Sequence, residues 1–263
     1  MKKAGPLNLI FSLLGACLVL FLLAPLLKML LNSPARELRE ALLDRDVRAA
    51  IALSLTCALW ATLIGTLLGV PLGYLLARRS FAGKNLIEAL VDVPVVIPHP
   101  VAGIALLLFF GRHYFGGQLF SRLGLAFVGD VPGIVIAMLF VSSSFLVNAA
   151  RDGFLHVDPR LEHVARTLGY GPLATFFHVA VPLSWRNLLS GAIMMWARAI
   201  SEFGAIVIIT YNPKVASVLI YDRFTTYGLK YALPPALALV LVSLLVFALL
   251  RGISLRGRQG SAV

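Results

Sequence analysis

Charged residues are scarce in this chain, and cysteines are scarcer still. Of its 263 residues, 13% are Asp, Glu, Lys or Arg, whereas 59% are hydrophobic. That balance excludes a soluble domain, because a soluble core needs far less apolar material than this. The two cysteines, Cys17 and Cys57, fall inside apolar segments, which excludes a disulfide framework and favours small hydrophobic roles. An integral membrane protein is predicted.

The sequence also lacks the motifs of nucleotide hydrolysis and of common catalytic sites. A phosphate-binding loop needs an early glycine and a closing Gly-Lys-Ser or Gly-Lys-Thr. The Gly83-Lys84 pair is followed by Asn85, and Arg78 stands where the early glycine belongs. The five histidines are dispersed, so neither a metal-binding pair nor a catalytic triad is indicated. We therefore expect no enzyme activity, no cofactor and no metal, and any driving energy must come from a partner or an ion gradient.

Positive charge is in excess, with a formal net charge of +11. A nucleic-acid-binding protein would gather such charge into one stripe with interleaved aromatic residues. Here the lysines and arginines are spread over the polar segments instead. We interpret them as interfacial anchors and loop charges of a chain that lies in the lipid bilayer and has no nucleic-acid partner.

Hydropathy predicts six transmembrane helices in a single domain that covers residues 1–263. Their approximate bounds are 4–27, 49–77, 86–111, 131–150, 188–211 and 231–250. The predicted fold class is therefore an all-α, multi-pass protein of the cell membrane. Six crossings place both termini on one side, but lysines and arginines divide almost evenly between the two sides and barely favour cytoplasmic termini.

Glycines mark one face of the second predicted span. Gly65, Gly69 and Gly73 are spaced four residues apart. Such spacing either forms a groove that lets another helix approach closely or reflects the general frequency of glycine in membrane helices. Both readings stay open at this point.

The third predicted span is interrupted by three prolines in the run VDVPVVIPHP. A proline removes one backbone donor and disfavours the helical conformation of the residue before it, so Ile97 and His99 are expected to leave the helix. Irregular backbone at membrane depth is tolerated only against protein or a wet cavity. The segment with Pro98, His99 and Gly103 is therefore either part of a translocation pathway or a kink that neighbouring helices satisfy.

Two opposite charges, Arg198 and Glu202, lie in the fifth predicted span. Four residues apart, they share a helix face and can pair within the membrane. They form either a structural pair that fixes the fifth helix or an element of an anion pathway. Together with His99 they would also suit the proton relay of a gradient-driven secondary transporter, which would need no ATPase.

The polar stretch at about 151–186, between the fourth and fifth spans, carries helix-capping signals. Asp158 is a good N-cap, and Pro159 suits the first helical position. Gly169 stands where a left-handed C-cap belongs. A second short helix should open at Pro172, and Pro182 should block its continuation into the next span. We call residues 158–182 the elbow and expect it to be rigid.

The elbow resembles the cytoplasmic signature of ABC-importer permease subunits, E-A-A, three residues, G, nine residues, I-x-L-P. Gly169 is followed after nine residues by VAVP, but His163 stands at the glutamate position and Glu162 one residue earlier. Over about 47–231, the segments VDVPVVIPHPVAGIALLLFFG, VDPRLEHVARTLG and ARAISEFGAIVII are similar to permeases of oxyanion importers, most closely the molybdate/tungstate group, then sulfate permeases.

This resemblance implies a type I importer fold with six spans and cytoplasmic termini. It implies a homodimer that forms the pathway for molybdate or tungstate, with sulfate as the alternative. Two copies of a separate ABC ATPase subunit would bind the ATP, and an extracytoplasmic oxyanion-binding protein would deliver the anion. The glutamate contact to the ATPase is kept, shifted to Glu162 or replaced by His163. The ATPase-coupling residues would be Glu162, His163, Ala165, Arg166, Gly169, Val179, Val181 and Pro182.

Overall fold

The computed structural model describes residues 6–256, and no β-strand occurs in that range. The helices are α1 (Pro6–Leu31), α2 (Ala35–Leu43), α3 (Arg45–Arg78), α4 (Lys84–Val96), α5 (His99–Phe110), α6 (Phe115–Ser121), α7 (Val131–Leu155), α8 (Pro159–Thr167), α9 (Pro172–Thr175), α10 (Val181–Ile200), α11 (Gly204–Ile209), α12 (Ala216–Tyr227) and α13 (Leu229–Arg256). A π-helical segment, Phe176–Ala180, joins α9 to α10. The expected all-α class is confirmed.

Two of the six predicted spans are broken helices. By length and apolar composition, the described chain has four helices able to cross a membrane, Leu7–Leu31, Arg45–Arg78, Val131–Leu155 and Leu229–Gly252. The predicted span 86–111 is the pair α4 and α5, bent by 115°, and together they pass the same test. In the predicted span 188–211, one helix ends at Ile200 and the next begins at Gly204. The count of six is therefore not confirmed by this criterion.

The unbroken helices run past the predicted apolar bounds. α3 begins at Arg45 and ends at Arg78, and α7 continues to Leu155. Charged residues near the ends of these segments stay helical because the backbone hydrogen bonds continue beyond the apolar stretch. α1 reaches Leu31, while residues 4 and 5 of the first predicted span lie outside the described residues.

α3, α7 and α10 form the centre of the core, to which α5, α11 and α12 also contribute buried residues, and the glycine face of α3 lies inside it. A Cβ added to Gly73 would lie 2.7 Å from the Cβ of Ala150 and 2.9 Å from the backbone nitrogen of Arg151. Such distances are too short for a side chain, so α7 can approach α3 this closely only because residue 73 is glycine. Gly65 and Gly69 are buried on the same helix. Of the two readings of the glycine spacing, the packing groove is confirmed.

Pro182 does not end the second elbow helix, contrary to the prediction. α9, the π-helical segment and α10 follow one another without a break from Pro172 to Ile200. Proline lacks an N–H group and its ring clashes with the carbonyl four residues earlier in a regular α-helix. The π-helical turn directly before Val181 changes the hydrogen-bond register there, which lets the helix accept the proline. The second part of the elbow, from Pro172, therefore continues into α10 as one helix.

Candidate functional site

The first helix of the elbow, α8, is capped at both ends as predicted. The side chain of Asp158 accepts a hydrogen bond from the backbone N–H of Arg160 at 2.9 Å. At the other end, Gly169 has a φ of +93°. Its N–H donates to the carbonyl of Arg166, and the N–H of Tyr170 donates to that of Ala165. This pair of bonds is a Schellman motif, which requires the left-handed residue that glycine supplies.

Glu162 points inward and ties α8 to the end of α3. Arg78 Nε donates to Glu162 Oε1 at 2.7 Å, and the hydroxyl of Tyr74 donates to Oε2 at 2.6 Å. Arg78 Nη2 also donates to the carbonyl of Val157 at 2.9 Å. The side chains of Arg78 and Glu162 are 10% and 4% exposed. Separating α8 from α3 would leave both charges buried without a partner, which is costly. The ion pair therefore holds α8 and α3 together as one unit.

An aromatic cluster supports this attachment. The rings of Tyr74, Phe154 and Phe176 contact one another with centroids 4.9 to 6.0 Å apart. They bring together α3, α7 and the π-helical segment. Sequence reasoning missed them because no motif marks them. The one available signal is that Tyr74 is a polar-tipped aromatic residue close to the end of a largely apolar span.

The outer surface of the elbow is apolar with a polar fringe. Among the predicted coupling residues, His163 and Arg166 are exposed, Ala165 is buried, Val179 and Val181 are half-buried and Pro182 is exposed. Large apolar side chains of the elbow are 48–75% exposed: Leu161, Val164, Leu168, Leu173 and Phe177. Exposed apolar residues with a polar rim are typical of a protein interaction site.

The two broken helices meet at their breaks. Ile97 and Pro98 are extended, as expected for Ile97, but His99 does not leave the helix; it begins α5. The following proline lies in the first helical turn, where a missing N–H costs nothing. A Cβ on Gly204 would lie 2.7 Å from the Cβ of His99, and one on Gly103 would lie 2.8 Å from the carbonyl oxygen of Ala205. Glycines on both helices therefore permit the close packing of α5 on α11.

Arg198 and Glu202 pair across the end of α10. Arg198 Nη2 donates to Glu202 Oε2 at 3.0 Å. The second carboxylate oxygen accepts the backbone N–H of Ala205 at 2.8 Å, so Glu202 also caps α11. The hydroxyl of Ser217 donates to the carbonyl of Glu202 at 2.7 Å. Glu202 thus binds α10, α11 and α12 to one another.

His99 completes a three-residue cluster with this pair. Arg198 Nη2 lies 2.8 Å from His99 Nε2, and His99 Nδ1 lies 3.4 Å from Glu202 Oε2. Because arginine only donates, a His99 that accepts at Nε2 satisfies the contact. The structure brings together three of the predicted pathway residues. Pro98 lies at the break itself and Gly103 lies one turn inside α5 against α11.

Comparison with known proteins shows which family the chain belongs to. The sequence pattern of the family described as "Binding-protein-dependent transport system inner membrane component" matches residues 69–258. The chain is 48% identical over 261 residues to the molybdate/tungstate transport system permease protein WtpB of Pyrococcus furiosus, covering 98% of this chain and all of that protein. It is 31% identical over 258 residues to a probable sulfate transport system permease protein of Zygnema circumcarinatum, covering 95% and 89% of the two chains.

The fold is similar to that of a solved ABC transporter. A chain of the bacterial ABC transporter involved in the import of the acidic polysaccharide alginate superposes with a TM-score of 0.72 at 16% identity, covering 94% of this chain and 95% of that one. At that identity the likeness shows the fold alone. The chain is a multi-pass membrane protein and belongs to the family of binding-protein-dependent transport system inner membrane components.

Proposed function

We propose that this chain is the membrane subunit of an ATP-driven importer of molybdate or tungstate. The observation that carries the proposal is the elbow, which is capped at both ends, fastened to α3 through Glu162 and apolar on its outer surface. A separate ATPase subunit would bind that surface, and its closure on ATP would push α8, α3 and α10 as one body. In an assembly of two chains and two ATPases, this movement would switch the translocation pathway between an inward-facing and an outward-facing state.

The contacts of Glu162 favour one of the alternatives left open by the sequence. Both oxygens of its carboxylate are engaged by Arg78 and Tyr74, whereas His163 is exposed. We therefore assign the outward contact with the ATPase to His163 and the apolar residues of the elbow. Glu162 would instead pass the movement of α8 to α3. In this arrangement the elbow lies on the cytoplasmic side of the cell membrane, and both termini lie there with it.

The choice of anion is supported by similarity rather than by a pocket. The P. furiosus relative, named as a molybdate/tungstate permease, matches at 48% identity, while the Zygnema relative, named as a probable sulfate permease, matches at 31%. A tetrahedral dianion would be selected mainly by the extracytoplasmic binding protein that delivers it. Molybdate and tungstate are therefore the proposed substrates.

Reconstitution tests the proposal. The chain, its ATPase and its binding protein are placed in proteoliposomes, and uptake of molybdate is measured with ATP, without ATP and with an imposed ion gradient. We expect uptake that requires ATP and both partners and that tungstate, but not sulfate, inhibits by competition. Uptake driven by an ion gradient without the ATPase would show a secondary transporter instead. Strong competition by sulfate would show a sulfate importer.

A further inference from the structure

The guanidinium group of Arg198 is only partly satisfied by its neighbours. Nη2 contacts both Glu202 and His99, and Nη1 donates to the hydroxyl of Ser201 at 3.2 Å. A guanidinium group carries five N–H donors. Among the described residues, the Nε–H group and the second hydrogen of Nη1 have no acceptor. Arg198 is therefore fixed in place while part of its donor set stays free.

The cluster also has a buried side and an accessible side. The carboxylate of Glu202 is buried, and the cation of Arg198 lies towards the accessible side. The side chain of Glu202 is 1% exposed, whereas that of Arg198 is 21% exposed and that of His99 is 42% exposed. An ion pair that buries its anion and leaves its cation accessible presents positive charge outward. The accessible space in front of the pair would consequently attract an anion rather than a cation.

The position of the cluster indicates that this space is filled with water. α4 starts on the elbow side of the membrane, since Glu88 in its second turn lies 3.8 Å from Arg151 at the end of α7. With 13 residues, α4 is about 20 Å long, so the break lies about that distance along the chain's path from the start of the helix. Charge and irregular backbone facing lipid at that depth would be costly. Both helix breaks and Arg198 should therefore line an aqueous passage.

We propose that Arg198 is a transient binding station for a tetrahedral oxyanion inside this passage, and that Glu202 is its positioning residue. The inference rests on the proposed function and names a contact for the same substrate class. The free Nε–H group of Arg198 donates to an oxygen of the anion, while His99 and Ser201 hold the guanidinium group in place. Glu202 offsets part of the positive charge and so weakens the binding of the anion. Passage requires this, because the site must also release the anion.

The test uses Arg198→Gln and Arg198→Lys in the complete reconstituted importer. Three quantities are measured for each: assembly with the ATPase, ATP hydrolysis stimulated by the binding protein, and molybdate uptake per ATP. The matched control is Arg36→Gln, which also breaks an Arg–Glu pair at a spacing of four residues, but on the exposed surface of α2. We expect assembly in all three and unchanged uptake in the control.

The expected pattern separates a station from a structural pair. Uptake per ATP should fall by roughly tenfold or more in Arg198→Gln and by a smaller factor in Arg198→Lys, because lysine keeps the charge but not the planar guanidinium group with its fixed N–H directions. Normal uptake by either variant would overturn the proposal. So would failure of Arg198→Lys to assemble, since that variant keeps the pairing with Glu202. If the unsubstituted importer itself shows no ATP-dependent uptake, it is the proposed function that fails.

Discussion

Arg78 and Glu162 form a buried ion pair, 2.7 Å long, that joins the last turn of α3 to the first turn of the elbow. The two residues are 84 positions apart in the chain. The hydroxyl of Tyr74 and the carbonyl of Val157 add further hydrogen bonds to the pair, and both charged side chains are largely buried. The elbow is therefore attached to the membrane core by a contact that a rigid movement of α8 must carry along.

Glu162→Gln should destabilise the elbow and uncouple it from α3. Removing one partner of a buried pair costs about 3–5 kcal/mol, because Arg78 is left buried without its counter-charge. We expect ATP hydrolysis to continue while transport per ATP falls, and thermal unfolding of the purified chain in detergent to shift to lower temperature. Glu40→Gln is the control, since Glu40 pairs with Arg36 on the exposed surface of α2.

The double substitution Arg78→Leu with Glu162→Leu sharpens this prediction. Apolar residues in place of a buried pair are often neutral or stabilising, so the double variant should recover much of the stability that Glu162→Gln loses. If transport also returned in full, the ion pair itself would have no part in coupling. If transport stayed low, the geometry set by the pair would be what coupling needs.

Gly169→Val should abolish attachment of the ATPase. A β-branched residue is strained at a φ of +93°, at a cost of about 1–3 kcal/mol, and the C-cap of α8 would be lost with it. Co-purification of the ATPase subunit measures the effect. Gly171→Val is the control, because Gly171 has a φ of −68° and free space for a side chain. Equal co-purification by both variants would show that the cap does not position the contact.

Gly73→Leu should prevent stable packing of α3 on α7. The added side chain would meet the Cβ of Ala150 and the backbone of Arg151 at distances that require the helices to separate. Overpacking of this kind costs at least about 1–3 kcal/mol, and more where backbone must move. Thermal unfolding and the yield of monodisperse protein in detergent report the loss. Gly15→Leu serves for comparison, since no atom lies within 4 Å of a Cβ added there.

Asp44 should make the stability of the chain depend on pH. Burial alone would raise the pKa of this carboxyl, but hydrogen bonds from Arg223, Asp46 and Val47 outweigh burial, so the pKa lies below its ordinary value. A lowered folded-state pKa adds stability above the unfolded pKa, and this stability is lost as the pH falls through the folded pKa. Melting temperatures measured from pH 7 down to about pH 3 should therefore decline less steeply for Asp44→Asn than for the unsubstituted chain.

Asp44→Ala separates the cap from the charge at the same position. The carboxylate caps α3 by accepting the N–H of Asp46 at 2.8 Å, and alanine loses the cap as well as the pair with Arg223. An N-cap contributes about 1 kcal/mol, and asparagine retains most of it. The alanine variant should consequently unfold at lower temperature than the asparagine variant at neutral pH. Identical melting temperatures would contradict a capping role.

Local features were predictable because they depend on a few adjacent residues. The caps at Asp158 and Gly169 and the break at Ile97 all follow from backbone chemistry that acts within one or two turns. The helix end expected at Pro182 was wrong because the backbone before the proline is not a regular α-helix. A proline ends a regular α-helix, but the π-helical segment Phe176–Ala180 gave the chain another backbone register at that point.

The sequence by itself determined that the chain is an all-α membrane protein with a capped elbow and a proline-broken helix, since composition and local backbone preference specify these features. Only the tertiary structure decided that Glu162 turns inward to Arg78 and that His99 meets Arg198 across 99 positions. Such contacts depend on which helix faces pack together. Spacing along the chain indicates which residues share a face, but the glycine contacts and the angles between helices determine what that face meets.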